Sequence, residues 1–394
     1  MAKGNSFLPN VGKPLREFAN LLVDLHDSRF SCEAVHHAIE AFDRERGIRI
    51  ERYHQTPESI LSWIDQEFGG VWSSEAARSG VWVARDGVRR LGFAAYDARG
   101  LRFAWLRRLQ EDASIGIFGP FGVIPEFRKQ GLGPVLLAAS MIALAERGYR
   151  HALIPAVGPR LVRYYGELTG GLVVDRFPLP CPDRPYRTTV LASGNGSNFQ
   201  AVIDGVAAGR LPLDVRLLVV NRRDAFALER ARRNAIDSRT LVWDRKGVSR
   251  EAYDDSVLSA VSESNPELVL LLGWMHVLRP DFIEHFPQTL NIHPALLPYD
   301  ARADRITMPD GEETPVFLGA HAVDDALAAG AGWIGACVHR LSCEVDRGEV
   351  LARAPLRVDP TESRDQLDAR LHELEHKVLE RAILRWTYEF KTLQ

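Results

Sequence analysis

Thr189-Val190-Leu191-Ala192-Ser193-Gly194-Asn195-Gly196-Ser197-Asn198-Phe199-Gln200-Ala201-Val202-Ile203 carries an apolar strand through a glycine turn into a helix. Hydroxyl and amide side chains stand where the helix start leaves backbone N–H groups unpaired. Aided by the helix dipole, such a start at the C-terminal end of a sheet strand can hold an anion, so a phosphate-bearing ligand is expected. A turn merely capped by Ser197 or Asn198 explains the glycines but not the whole run. Outward from it, strands at Val215–Val220 and Leu268–Leu272 alternate with helices from Asn198 and near Phe226. Strand and helix in alternation predict an α/β domain with a mainly parallel sheet covered by helices.

The chain has 394 residues, more than one hydrophobic core usually organises, and its 46% hydrophobic content can supply two. A formal charge of -3, with Lys and Arg scattered, leaves no basic field for nucleic acid. Cys32, Cys181, Cys337 and Cys343 show neither disulfide-scaffold density nor a C-x-x-C spacing, and read as reduced, mostly buried thiols. No apolar run follows Met1-Ala2-Lys3-Gly4-Asn5-Ser6 as a signal segment, and none is long enough to cross a bilayer. The expectation is a cytoplasmic protein without a membrane partner; assembly as a homo-oligomer is left open.

Four prolines in Phe177-Pro178-Leu179-Pro180-Cys181-Pro182-Asp183-Arg184-Pro185-Tyr186 remove backbone donors and predict a linker between unlike modules. The expected organisation is a helical extension 1–47, a mixed α/β sheet domain 48–177, a linker 178–187 and a second domain 188–394. In the extension, Leu15, Phe18, Leu21, Leu22 and Leu25, then Val35, Ile39 and Phe42, have the spacing of two amphipathic helices. His26, His36 and His37 fall on them and read as solvated rather than metal-binding residues. Farther on, Ile60–Phe68 reads as a helix, Val81–Ala84 and Leu91–Tyr96 as strands joined around Asp86-Gly87, and Ile115–Phe121 as a strand.

From Phe121 to Pro134 a strand again passes through a glycine turn into a helix, with Val135, Leu136, Ala138, Met141 and Ile142 as its apolar face. N–H groups at that helix start can hold a pyrophosphate. Arg128-Lys129-Gln130-Gly131-Leu132-Gly133 resembles the R/Q-x-x-G-x-G/A turn of the GCN5-related N-acetyltransferase family, and Tyr164-Tyr165-Gly166-Glu167-Leu168 is similar to its F-Y-x-x-L segment. Over Ile48 to Asp175 the resemblance implies a domain that binds acetyl-CoA or another acyl-CoA through Arg128, Gln130, Gly131 and Gly133. It also implies that Tyr165 protonates the departing thiolate. That family's usual asparagine is not evident around Val157-Gly158-Pro159, so a non-catalytic, acyl-CoA-binding regulatory module stands beside the N-acyltransferase reading.

Asn291-Ile292-His293-Pro294 and Val345-Asp346-Arg347-Gly348 supply an amide, an imidazole and a carboxylate that can polarise a carbonyl and take a proton from an attacking amine. Donors aimed at the carbonyl oxygen suit the charge that develops there, and Asp346 is expected to keep the His293 ring charged near neutral pH. His339 reads as a strand-end support. Asn291 to Pro298 resembles the signature of folate-dependent formyltransferases. Within them the phosphoribosylglycinamide formyltransferases match through the Ser193–Asn198 turn, Asn221, Asp224–Ala231, Ser249–Asp254, Leu272–Met275, Gly335–His339, Asp346–Gly348 and Glu375-His376.

This resemblance, from Thr188 to Trp386, implies a Rossmann-like domain that transfers a formyl group from 10-formyltetrahydrofolate to a primary amine in purine biosynthesis. Gly196, Ser197 and Asn198 would bind the acceptor's phosphate, Glu375 its ribose, and Arg250, Met275 and Leu278 would line the folate pocket. Asn291, His293 and Asp346 would be catalytic. Phosphoribosylglycinamide is the leading acceptor; a hydroxylated amino acid or a nucleotide-linked amino sugar in a specialised pathway is the alternative. Two departures stand out. The chain runs from Tyr299 to Leu318 where the family has a short connection, and a loop this long beside the site is expected to be functional. Arg347 stands where glycine is common and reads as a tolerated change. His372-Glu373-Leu374-Glu375-His376 matches the H-E-x-x-H zinc motif, but it lacks an evident third ligand and reads as a charged helix face, so no metal is expected.

Overall fold

A strand with one solvated face alternates apolar and polar residues, whereas a strand covered on both faces does not, and this chain contains both kinds. The computed structural model describes residues 17–69, 71–103, 106, 109–178 and 184–390. Among them, 17–178 with 307–313 and 387–390 form one unit, and 184–306 with 314–386 the other.

The first unit runs β1 (Glu17–Asp24), α1 (Cys32–Arg46), β2 (Ile48–Tyr53), α2 (Glu58–Phe68), α3 (Trp72–Ala76), β3 (Gly80–Asp86) and β4 (Arg89–Tyr96). It continues with β5 (Ile115–Val123), α4 (Leu132–Glu146), β6 (His151–Val157), α5 (Pro159–Thr169) and β7 (Leu172–Pro178). The sheet order is β2-β3-β4-β5-β6-β1-β7. Only β5 and β6 pair in parallel, and only over Ile115–Ile117 against His151–Leu153. Beyond Ile117, β5 keeps its pairing to β4 alone.

The first of the two expected N-terminal helices is instead β1, a central strand between β6 and β7. Residues 17–47 are therefore part of this unit and not an extension. Ala19, Asn20, Leu21 and Val23 are all buried, so both strand faces are covered and the spacing of Phe18, Leu21 and Leu22 imitates a helix. Only α1 is helical, capped by the Ser31 side chain at its start and by Gly47 at its end. Two of the cysteines, Cys32 and Cys343, are exposed and only Cys337 is buried among those described, which corrects the expectation of mostly buried thiols; Cys181 lies outside the described residues.

The second unit begins with β8 (Tyr186–Ala192), α6 (Ser197–Ala207), β9 (Leu213–Val220), α7 (Ala227–Arg233), β10 (Asp237–Thr240), α8 (Arg250–Glu263) and β11 (Leu268–Leu271). After α9 (Pro280–His285) and β12 (Thr289–His293) come the short β13 (Arg305–Thr307) and β14 (Glu313–Pro315). Last are α10 (Ala322–Ala328), β15 (Trp333–Arg340), β16 (Val350–Arg357) and α11 (Arg364–Phe390). The order β10-β9-β8-β11-β12-β15-β16 is parallel as far as β12 and antiparallel for the last two strands. Leu191, Val219, Val269 and Leu271 of the sheet pack with Tyr253, Val257 and Val261 of α8. The fully buried Trp386 of α11 meets the Tyr186 ring edge-on at 5.0 Å.

The proline-rich stretch is shorter than 178–187, because Pro178 closes β7 and Tyr186 opens β8; 179–183 lie outside the described residues. The chain also returns to the first unit after leaving it. There the Ser62 hydroxyl donates to the Thr307 carbonyl at 2.9 Å and Arg90 to the Pro309 carbonyl at 2.5 Å, while Met308 is buried. No described helix is long and apolar enough to cross a membrane.

Candidate active site

Asn291 and His293 are alternate residues of β12 and so share one sheet face. On antiparallel β15, Asn291 lies opposite His339 and His293 opposite Cys337. The turn after β15 then brings back Asp346, whose φ is 54°. Gly348 completes that turn where nothing larger fits, since a Cβ there would stand 1.7 Å from the Arg340 carbonyl oxygen.

These residues form one cluster. His293 Nδ1 lies 3.5 Å from Asp346 Oδ2, and His339 Nε2 lies 3.5 Å from Asp346 Oδ1. The Asn291 amide donates to His339 Nε2 at 3.1 Å, and His339 Nδ1 donates to the Arg340 carbonyl at 2.9 Å. His339 thus spends its one neutral-state proton on the strand backbone and orients Asn291.

His293 Nε2 faces the Phe317 carbonyl at 2.8 Å, and because a carbonyl only accepts, Nε2 carries a proton. Burial holds this ring below its ordinary value, outweighing the Asp346 charge and the Phe317 carbonyl, which both favour the imidazolium. The expected charged His293 is therefore corrected to a neutral ring at neutral pH. For Asp346, burial pushes the carboxyl up, but the His339 and His293 rings and the Gly319 N–H, which donates at 2.7 Å, together hold it down at about 2.

The insertion from Tyr299 is built into this site. Arg353, buried completely, donates to the Leu297 carbonyl at 2.8 Å and lies 4.2 Å over the Tyr299 ring. Arg347 donates to the carbonyls of Ala301 and Ala303 at 2.9 and 2.7 Å and pairs with Asp304 at 2.6 Å. It is a clamp on the insertion, not a tolerated change. The sequence places an unusual cation next to Asp346 and a long loop beside His293, two signals that together suggest their contact; the Phe317 carbonyl leaves no side-chain signal.

The glycine turn joins β8 to α6. Gly196 has φ 73°, and a Cβ there would lie 2.8 Å from the Ala227 Cβ, so α7 packs directly against the turn. Arg230 of α7 braces it through Nε to the Asn195 carbonyl at 2.9 Å and a second nitrogen to Asn195 Oδ1 at 2.8 Å. Ser197 and Asn198 open α6, and the Asn198 amide donates to Glu375 Oε2 at 3.0 Å, joining residues 177 positions apart. Burial raises the Glu375 carboxyl, against the Asn198 bond. The buried Asn198 Oδ1 has no hydrogen-bond partner, which fits a ligand hydroxyl or amine arriving there.

Of the residues expected along a folate pocket, Met275 is 57% exposed and lies close to Val277, 63% exposed, whereas Leu278 packs in the core beside Trp274. Exposed apolar side chains after the end of β11 suit a flat aromatic ligand. Arg250 pairs with Asp254 at 2.8 Å, donates to the Val277 carbonyl and lies 5.2 Å over the Trp243 ring. It fixes the segment that carries Met275 and Val277. In the H-E-x-x-H run Glu375 is turned to Asn198, and no group of three or more metal-ligating side chains occurs among the described residues.

In the first unit, Gly131 (φ 86°) opens α4 after the strand β5. Arg128 and Gln130 fold back on the turn, donating to the carbonyls of Val123 at 2.9 Å and Glu126 at 2.7 Å. A Cβ on Gly133 would come within 3.1 Å of the Tyr164 hydroxyl, so the turn and α5 abut. Tyr165 is buried against Phe118, ring centroids 6.3 Å apart; burial, with Tyr164 adding, raises its hydroxyl well above its ordinary value. A phenol so placed keeps its proton.

Residues 186–383 match the model of the formyl transferase family. The phosphoribosylglycinamide formyltransferase of Escherichia coli K12 is 36% identical over 190 residues, covering 48% of this chain and 81% of that protein. That of Mycobacterium tuberculosis H37Rv is 34% identical over 204 residues, covering 51% and 85%. The crystal structure of glycinamide ribonucleotide transformylase 1 from Symbiobacterium toebii is 32% identical, covers 51% of this chain and 87% of that one, and has a TM-score of 0.45.

Proposed function

Since the chain belongs to the formyl transferase family through residues 186–383, we propose that its second unit moves a formyl group from 10-formyltetrahydrofolate to a primary amine. Phosphoribosylglycinamide is the leading acceptor. The observation that carries this reading is the cluster of Asn291, His293 and Asp346, together with a phosphate turn whose Asn198 is tied to Glu375. The relatives named as phosphoribosylglycinamide formyltransferases support the same acceptor.

The folate supplies a formyl carbon on nitrogen, open to attack by an amine. The turn at Gly196, Ser197 and Asn198 holds the acceptor's phosphate at the start of α6, and Glu375 takes its ribose hydroxyls. Asn291 has a second amide N–H, which points its dipole at the formyl oxygen as charge builds there. Neutral His293 accepts the amine proton at Nδ1, and the imidazolium so formed is stabilised by Asp346 and by the Phe317 carbonyl. The amine adds to the formyl carbon, and the tetrahedral adduct collapses with cleavage of the folate C–N bond as the proton passes to the departing folate nitrogen. His339 and Arg347 act as positioning residues.

The insertion beside His293 favours a second reading of acceptor choice, in which a different amine, such as a hydroxylated amino acid or a nucleotide-linked amino sugar, is formylated. For the first unit we infer N-acylation from acetyl-CoA or another acyl-CoA. The Gly131 turn would hold the pyrophosphate and Tyr165 would return a proton to the thiolate, where β5 runs on without β6. A binding module without turnover is its alternative. We infer a cytoplasmic location for the protein from its likeness to enzymes named as phosphoribosylglycinamide formyltransferases.

The test uses the full chain with 10-formyltetrahydrofolate, then acetyl-CoA, against each amine, read by mass spectrometry. Formylation of phosphoribosylglycinamide at saturating rates supports the leading acceptor; formylation of another amine alone replaces it, and formylation of none removes the reading. Acetyl-CoA bound without product assigns the first unit to binding.

A further inference from the structure

The insertion after Leu297 meets the reacting side chains through its backbone. On its way out, Arg347 holds the Ala301 and Ala303 carbonyls and Asp304, and Arg353 holds Leu297 and Tyr299. On its return, the Phe317 carbonyl takes the His293 Nε2 proton and the Gly319 N–H binds Asp346 Oδ2. We propose that 299–306 and 314–319 form a strap that selects the Nε2–H tautomer of His293, and that Arg347 is the positioning residue that keeps the strap on the site. The proposal rests on the formyl-transfer reading of this unit.

A neutral imidazole has one proton and here two competing acceptors. Asp346, 3.5 Å from Nδ1, draws that proton to Nδ1. The Phe317 carbonyl, 2.8 Å from Nε2, draws it to the other nitrogen. Only the second outcome leaves Nδ1 with a lone pair, and a proton taken there lands beside a carboxylate that stabilises it. The strap thus decides whether the ring can serve as a base at the nitrogen beside Asp346. Arg347 suits the clamp because a guanidinium presents several donors in a fixed plane, here filled by two carbonyls and one carboxylate.

The full chain, labelled with 15N-histidine, is compared as wild type, Arg347→Gly and Arg347→Lys. Nitrogen chemical shifts give the His293 tautomer, and formyl transfer to phosphoribosylglycinamide gives kcat and KM. The wild type is expected in the Nε2–H form. Arg347→Gly moves the proton toward Nδ1 and lowers kcat by about tenfold or more, with the KM for the folate within roughly twofold, and Arg347→Lys recovers most of both. An Nε2–H ring and wild-type kcat in Arg347→Gly overturn the proposal. If the wild type formylates no amine, the activity reading fails while the tautomer comparison still decides the strap. If Arg347→Gly does not fold, Arg347→Gln, which keeps a single donor group, carries the same comparison.

Discussion

His293 and Asp346 both titrate below their ordinary values, and this sets what acid should do. Burial lowers the His293 value below 6.5, so the base form persists as the medium turns mildly acidic, and the acid limb of kcat/KM should lie below pH 6.5. Asp346→Asn removes the charge that favours the imidazolium; we expect that limb to move to still lower pH while kcat falls, a shift that a pH–rate profile reads directly. His293→Ala should lose on the order of 10² to 10⁴ in kcat and Asn291→Ala on the order of 10² to 10³, measured in single-turnover formyl transfer. Stability follows the same linkage. Asp346 ionises at about 2 in the fold against 3.8 ordinarily, so its stabilisation, about 2 kcal/mol, is complete above pH 3.8 and is lost as pH falls to about 2. His293 binds its proton better when unfolded, so its cost appears as pH drops below 6.5. Urea unfolding at pH 5 and pH 2 should therefore show a smaller acid loss in Asp346→Asn than in wild type.

At the scale of elements, the sequence was readable wherever local chemistry and tertiary role agree. The turn Ser193–Asn198 implied its strand and helix because glycine, hydroxyl and amide all mark the same boundary, and β3 and β4 appeared on either side of Asp86-Gly87. Strand β1 was not readable, because its neighbours β6 and β7 and the covering helices bury residues such as Asn20 that a helix pattern would leave in water. Burial on both faces erases the period that distinguishes helix from strand. Asn291, His293 and Asp346 could be named from their motifs, but their joining through His339 could not, because it depends on the β12–β15 register. The neutral state of His293 depends on burial, which no motif reports. The turn after β15 offers a direct test: Gly348→Ala places a methyl 1.7 Å from a backbone oxygen. We expect a loss of at least about 3 kcal/mol in chemical denaturation, and loss of formyl transfer with it.

At the scale of the whole molecule, the two units share the chain more often than a simple fusion would. Residues 307–313 and 387–390 belong with 17–178, although both follow the second unit's first strand in sequence. Tyr388 packs against the cluster of Phe103, Leu106, Ile115, Ile117 and Leu153. Tyr388→Ala, at the far end of α11, should destabilise the first unit by about 1–3 kcal/mol. Hydrogen exchange on β5 and β6 would register that change, and unchanged protection there would contradict it.

During synthesis, the earliest strand of the sheet, β1, leaves the ribosome long before Tyr388 exists. At about 5–20 residues per second, the nascent first unit waits tens of seconds without the Tyr388 ring against that apolar cluster. The first unit therefore completes this packing only after every strand of the second unit has been made, so its last contact is added when most of its own sheet already exists.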